Sequence, residues 1–151
     1  MFSYGKTASK AIAALSCLVS VYRAGGKLGS SEIAKARGIS RALAAKLMVQ
    51  LSTAGFVIGY PGPRGGYRLA KEPSAITLFE IVAQFEKVDA EPRCPFGDTW
   101  CGKEEPCPLH DAIVEMDAHA REYLQKTTLA VFEAYPFPLK RGKSAREKGA
   151  N

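Results

Sequence analysis

Two short helical stretches separated by a glycine-closed turn, a Gly/Pro-rich hairpin directly after them, and a long stretch free of Pro and Gly near the C-terminus predict a mainly α fold with a small β-hairpin. The chain of 151 residues suffices for one compact domain plus a dimerising element. It holds no run of about 18 apolar residues that would span a bilayer. The apolar stretch from Ala11 to Val21 has polar interruptions and closes at Tyr22-Arg23, so a helix of a cytoplasmic protein is expected there rather than a secretion signal or a membrane contact.

Taken in order, residues 7–24 place Ala8, Ala11, Ile12, Leu15, Leu18, Val19 and Tyr22 at i, i+3, i+4 spacing, and Gly25-Gly26 ends the pattern. Cys17 falls inside and is expected as a small buried hydrophobe. A short helix follows from a serine cap at Ser30-Ser31 to Gly38. Ser40 then caps a second helix, Arg41 to Ala54, which Gly55 closes. Leu43, Leu47 and Leu51 recur every four residues and face inward, which leaves Arg41, Ala42, Ala45, Lys46 and Gln50 outward. That small, basic face suits a helix entering a major groove. Next, Phe56–Tyr60 and Tyr67–Leu69 have strand character around the turn Pro61-Gly-Pro-Arg-Gly-Gly66, whose tip carries Arg64. A helix-turn-helix followed by such a hairpin is a winged helix-turn-helix.

On charge alone the basic run reads as a solvated face; joined to the basic outer helix face and the slim basic hairpin tip, it points to a polyanionic partner for this half alone. Residues 1–71 hold eleven lysines and arginines against the single acid Glu32, a balance of +10, whereas residues 89–135 hold four against ten, a balance of −6. Double-stranded DNA is the expected ligand of the first half.

Beyond the linker Lys71-Glu-Pro-Ser74, Thr77 caps a helix carrying Leu78, Ile81, Val82 and Phe85. From Pro108, read as a first helical residue, nothing breaks the chain until Pro136, so a helix of roughly 40 Å at ~1.5 Å per residue is expected. Leu109, Ile113, Met116, Ala120, Tyr123, Thr127 and Ala130 alternate 4-3 spacing along it, and a second copy of the chain is the natural cover for so long a helix. The basic tail is expected to be disordered. The organisation is therefore 1–71 DNA-binding, 72–107 linker helix and cysteine loop, 108–135 dimerisation helix and 136–151 tail.

Three of the four cysteines fall in the loop as Cys94-x6-Cys101-x5-Cys107, and His110 follows. The three clustered cysteines, an odd number that cannot fully pair, suit metal ligands in a reducing compartment better than disulfides. The spacing has slack enough for an iron-sulfur cluster. Cys107 and His110 are equally spaced like a zinc-chelating pair, and a cluster-free thiol switch is the third reading.

The helix-turn-helix with Ile39-Ser40, the wing Pro61-Gly-Pro-Arg-Gly-Gly-Tyr67, the three spaced cysteines and the long C-terminal helix together resemble the Rrf-two family of dimeric winged-helix transcription regulators, in its iron-sulfur-binding, IscR/NsrR-like branch. The resemblance covers roughly residues 1–135. It implies a cytoplasmic homodimer on a pseudo-palindromic operator, with a cluster that senses redox state, nitric oxide or iron-sulfur status and alters DNA affinity. It carries Cys94, Cys101 and Cys107 over as thiolate ligands and His110 as the fourth. Ser9 stands where the Asp-ligated members have their aspartate, which favours a 2Fe-2S cluster over a 4Fe-4S one, with zinc as the alternative metal. Ala45 stands where IscR-type members discriminate operators with a glutamate, so the target sequence should differ.

The expected DNA contacts are Ser40, Arg41, Ala42 and Lys46 in the major groove and Arg64 and Gly65 at the wing, with Lys6 and Lys10 near phosphate. An enzyme using Cys and His is not expected, because no acid or oxyanion donors accompany the pair. His119 is read as solvent-facing.

Overall fold

A computed structural model of the chain describes residues 5–88 and 107–134. Cys94, Cys101 and the tail 136–151 lie outside the described residues. The elements run α1 (Lys6–Tyr22), α2 (Ser30–Arg37), α3 (Arg41–Thr53), β1 (Val57–Tyr60), β2 (Gly66–Leu69), a 3-10 turn (Pro73–Ala75), α4 (Leu78–Ala83), α5 (His110–Lys126) and α6 (Val131–Ala134). Among the described residues, 13–70 with 132–134 form one compact unit, and 5–12 with 71–88 and 107–131 form another. The first turns of α1, expected with the DNA-binding region, thus group with the later segments.

The first unit is a winged helix. Ala14, Leu15, Leu18, Ile33, Leu47, Met48 and Leu51 are fully or almost fully buried and form its core with Val57 and Leu69. Gly38, at φ 64, and Gly55, at φ 84, end α2 and α3 in the left-handed region. Their turns let Ile39 N–H donate to Ala34 O at 3.1 Å and Phe56 N–H donate to Leu51 O at 3.0 Å, which closes both helices. The expected serine cap of α2 is corrected. Gly29 is the cap, and its N–H donates to the Glu32 carboxylate at 2.7 Å, so the serines sit inside the first turn.

β1 and β2 pair antiparallel, with Val57 opposite Leu69 and Gly59 opposite Tyr67. Leu28 adds a third strand position: its N–H donates to Tyr67 O at 3.0 Å and its carbonyl accepts from Tyr67 N–H at 2.8 Å.

In the second unit Thr77 caps α4, and Ile76, Leu78, Ile81, Val82, Ile113, Leu124 and Leu129 form the core. Here the expected helix from Pro108 to residue 135 is corrected. α5 covers only His110–Lys126, with Leu109 as its cap and Pro108 in the preceding turn. Thr127 turns extended because its carbonyl accepts from Leu78 N–H and the next residues pair with Ile76 and Thr77: Leu129 N–H donates to Ile76 O, and both bonds measure 2.9 Å. Two successive β-branched residues favour this extended path, and the bridge satisfies an N–H that the first residue of α4 would otherwise leave without a backbone partner.

Candidate nucleic-acid interface and metal-ligand loop

Ser40 Oγ accepts from Leu43 N–H at 3.1 Å and fixes where α3 begins. Directly beyond it Arg41 and Ala42 are exposed, followed one turn later by Ala45 and Lys46, so the expected groove-facing residues share one outward face. Of the leucines expected inward, Leu47 and Leu51 are buried and Leu43 is half-buried, while Ala44 and Met48 complete the inner face.

At the wing, Arg64 is exposed and Gly65 half-buried. A side chain at Gly65 would collide with the Tyr60 carbonyl, and one at Gly59 would press within 3.1 Å of the Tyr67 ring. The hairpin is therefore thin because its backbones close on one another. An open hollow of about 610 Å³ separates the wing from the start of α2, lined by Gly29, Ser30, Ser31, Pro61, Gly62 and Gly66 among others.

Two residues of this surface escaped the sequence reading. Lys27 places its ammonium 4.7 Å from the centre of the Tyr60 ring, a cation-π contact that adds a positive charge beside the wing. Val49 is an exposed apolar residue on the outward side of α3. Its signal was present, since it falls seven residues after Ala42 and hence on the same helical face.

Of the metal-ligand set, Cys107 and His110 are described. His110 N–H donates to Cys107 O at 3.0 Å, so both belong to the turn that starts α5, and both are half-buried. The other edge of the cysteine loop is tied to the same helix: Arg121 donates to Val88 O at 2.8 Å, and its guanidinium lies 5.7 Å from the Phe79 ring centre. No three His, Cys, Asp or Glu side chains among the described residues gather closely enough to hold a metal. The donor chemistry of Cys107 and His110 fits a soft or borderline metal, and the other two expected ligands, Cys94 and Cys101, lie outside the described residues.

Residues 4–133 match the family described as Rrf2, iron-dependent transcriptional regulator. The chain belongs to the Rrf2 family. A candidate HTH-type transcriptional regulator of Aquifex aeolicus (strain VF5) is 34% identical over 116 residues, covering 73% of this chain and 81% of that protein. The HTH-type transcriptional regulator IscR of Yersinia enterocolitica is 31% identical over 113 residues, covering 74% and 68%. CymR (YrzC), the global cysteine regulator of B. subtilis, shares the fold at a TM-score of 0.71 and 24% identity, covering 89% of this chain and 98% of that one. T. potens IscR does so at 0.68 and 20%, covering 95% and 94%. As an Rrf2 member the chain is a winged-helix transcription regulator and not an enzyme. No described helix is long and apolar enough to cross a membrane.

Proposed function

We propose that this Rrf2 protein is a cytoplasmic homodimer that binds a pseudo-palindromic operator and adjusts that binding through an iron-sulfur cluster. The shared outward face of Arg41, Ala42 and Lys46 carries the DNA part of the reading. Ser40, Arg41, Ala42 and Lys46 enter the major groove, while Arg64 and Gly65 bring the wing to the neighbouring groove or backbone. Lys6 and Lys10, both exposed, add phosphate contacts.

Dimerisation is supported by what α5 leaves uncovered. Of the 4-3 pattern, Ile113 is buried within its own unit and Ala120 half-buried, whereas Leu109, Met116 and Tyr123 are exposed at intervals of seven. An exposed apolar row at heptad spacing is what a second copy covers.

Cys94, Cys101, Cys107 and His110 would hold the cluster, as 2Fe-2S with a histidine ligand, or as 4Fe-4S. Such a group supplies a centre that reacts with oxidants and nitric oxide. The chain's part is to tie Val88 and Cys107 to α5, so that loss or oxidation of the cluster would be felt by the helix that carries the exposed row. Absorption and iron content of anaerobically purified protein test this. Charge-transfer bands with bound iron are expected; a colourless, iron-free chain after reconstitution would sink the cluster reading. A second reading keeps DNA binding with zinc, supported by Cys107 and His110 sharing one turn. Stoichiometric zinc in place of iron would select it.

A further inference from the structure

The outward face of α3 carries an apolar strip among its cations. At about 100° per residue, Ala44, Leu47, Met48 and Leu51 are buried on one side, and Ala42, Ala45, Lys46, Val49 and Thr53 are exposed on the other. Val49 is 58% exposed in the middle of that face. Thr53 donates its hydroxyl to Val49 O at 3.0 Å, so its polar atom is engaged by its own helix. Lys46 carries the charge at the centre, with Arg41 and Gln50 at the edges.

We propose that Ala42, Ala45 and Val49 form a strip that reads thymine C5-methyl groups in the major groove. The inference rests on the regulator reading and names the base chemistry that α3 selects. Within that groove the thymine methyl is the apolar feature of the base edges, and the other edges present donors and acceptors. Alanine and valine side chains have no polar atom with which to answer guanine O6 and N7 or the adenine N6 and N7 pair. A polar edge beneath them loses water without a new partner, which costs free energy, whereas a methyl beneath them leaves water with nothing unsatisfied. The strip thus attracts thymine and disfavours the alternatives.

Its dimensions and charge agree with this occupant. Ala42 to Val49 spans ~10.5 Å at ~1.5 Å per residue, about three base-pair steps of roughly 3.4 Å. Arg41 and Lys46 flank or interrupt the strip with the cations that a phosphate-walled groove requires.

The test starts from the duplex that the purified full chain selects out of a random pool. Each thymine of that duplex is then replaced by deoxyuridine, which removes the methyl group and nothing else. We expect at least one thymine in each half-site to lose about fourfold in affinity, the worth of one buried methyl. The Val49→Ser chain should bind thymine and deoxyuridine equally at the position it covers, while the exposed site leaves the core intact. A selective duplex in which no thymine responds would overturn the strip and leave the regulator reading standing. Failure to select any duplex would overturn both. A Val49→Ser chain that keeps full methyl sensitivity but changes its oligomeric state would place a protein contact there and also overturn the proposal.

Discussion

The guanidinium of Arg37 lies 3.1 Å from the Cys17 sulfur and donates a 2.7 Å hydrogen bond to the carbonyl of Ala13, one turn before Cys17 on α1. It also donates to the hydroxyl of Ser16. Ser16 and Cys17 are each 1% exposed, so the contact fastens the last turn of α2 to a buried stretch of α1. Arg37→Ala should destabilise the protein by about 2–3 kcal/mol, the usual worth of hydrogen bonds to a charged group. Urea unfolding measures it, and an unchanged midpoint would deny Arg37 this role.

Burial pushes the Cys17 thiol up, and the charge and hydrogen bond of Arg37 oppose that rise only in part. An acid raised in the folded state contributes stability that is complete below its unfolded value, about 8.5 for a thiol, and is lost as pH climbs through the folded value. Stability should therefore decline above about pH 8.5 on this account, and Cys17→Ala should remove that part of the decline. In the native state Cys17 should react far more slowly with iodoacetamide than in urea.

Thr77 and Glu80 cap α4 reciprocally: Thr77 N–H donates to the Glu80 carboxylate at 2.8 Å, and Glu80 N–H donates to Thr77 Oγ at 3.2 Å. Thr77→Ala should cost ~1 kcal/mol by thermal or urea unfolding. The backbone N–H of Thr77 is the main cause holding the Glu80 carboxyl below its usual range. That contribution is present above about pH 4.3 and fades as pH falls through the folded value. Glu80→Gln should flatten this acid limb by a small amount, because the group is exposed.

Arg41 and Lys46 share a face but should fail differently. Arg41→Ala should cost ~1–3 kcal/mol on the selected duplex and relax its selectivity, since the arginine fork bonds guanine O6 and N7 together. Lys46→Ala should weaken all duplexes alike and lower the salt slope by about one. Fluorescence anisotropy over a salt series distinguishes the two. Equal loss of selectivity in both variants would remove the assigned division of roles.

Met116 and Tyr123 are 56% and 63% exposed. Charging the row with Met116→Glu and Tyr123→Glu should leave the fold intact and shift the chain to monomers at micromolar concentration, as read by analytical ultracentrifugation. Dimers of unchanged strength would place the interface elsewhere.

The helix-turn-helix and the wing were legible because each is decided within a few residues. Ser40 supplies a cap oxygen, Gly38 and Gly55 accept positive φ, and leucines four apart define an inner face. The same local rules placed Arg41, Ala42 and Lys46 together outside, and Val49, seven residues after Ala42, obeys them too although its apolar side chain suggests an inward position. The spacing of the cysteine loop was equally plain in the sequence, although Cys94 and Cys101 lie outside the described residues. What the chain could not declare locally was the end of α5. No proline or glycine interrupts it; the β-branched pair Thr127-Thr128 only favours an extended path, and Leu78 and Ile76, some fifty residues earlier, supply the backbone partners for Thr127 and Leu129 that fix it. Tertiary packing likewise split the 4-3 row, burying Ile113 and leaving Met116 and Tyr123 outside. It also brought Arg37 onto Cys17. Periodicity records which side of a helix is apolar, but which part of that side is covered, and where a helix yields to a better hydrogen bond, depends on segments distant in sequence.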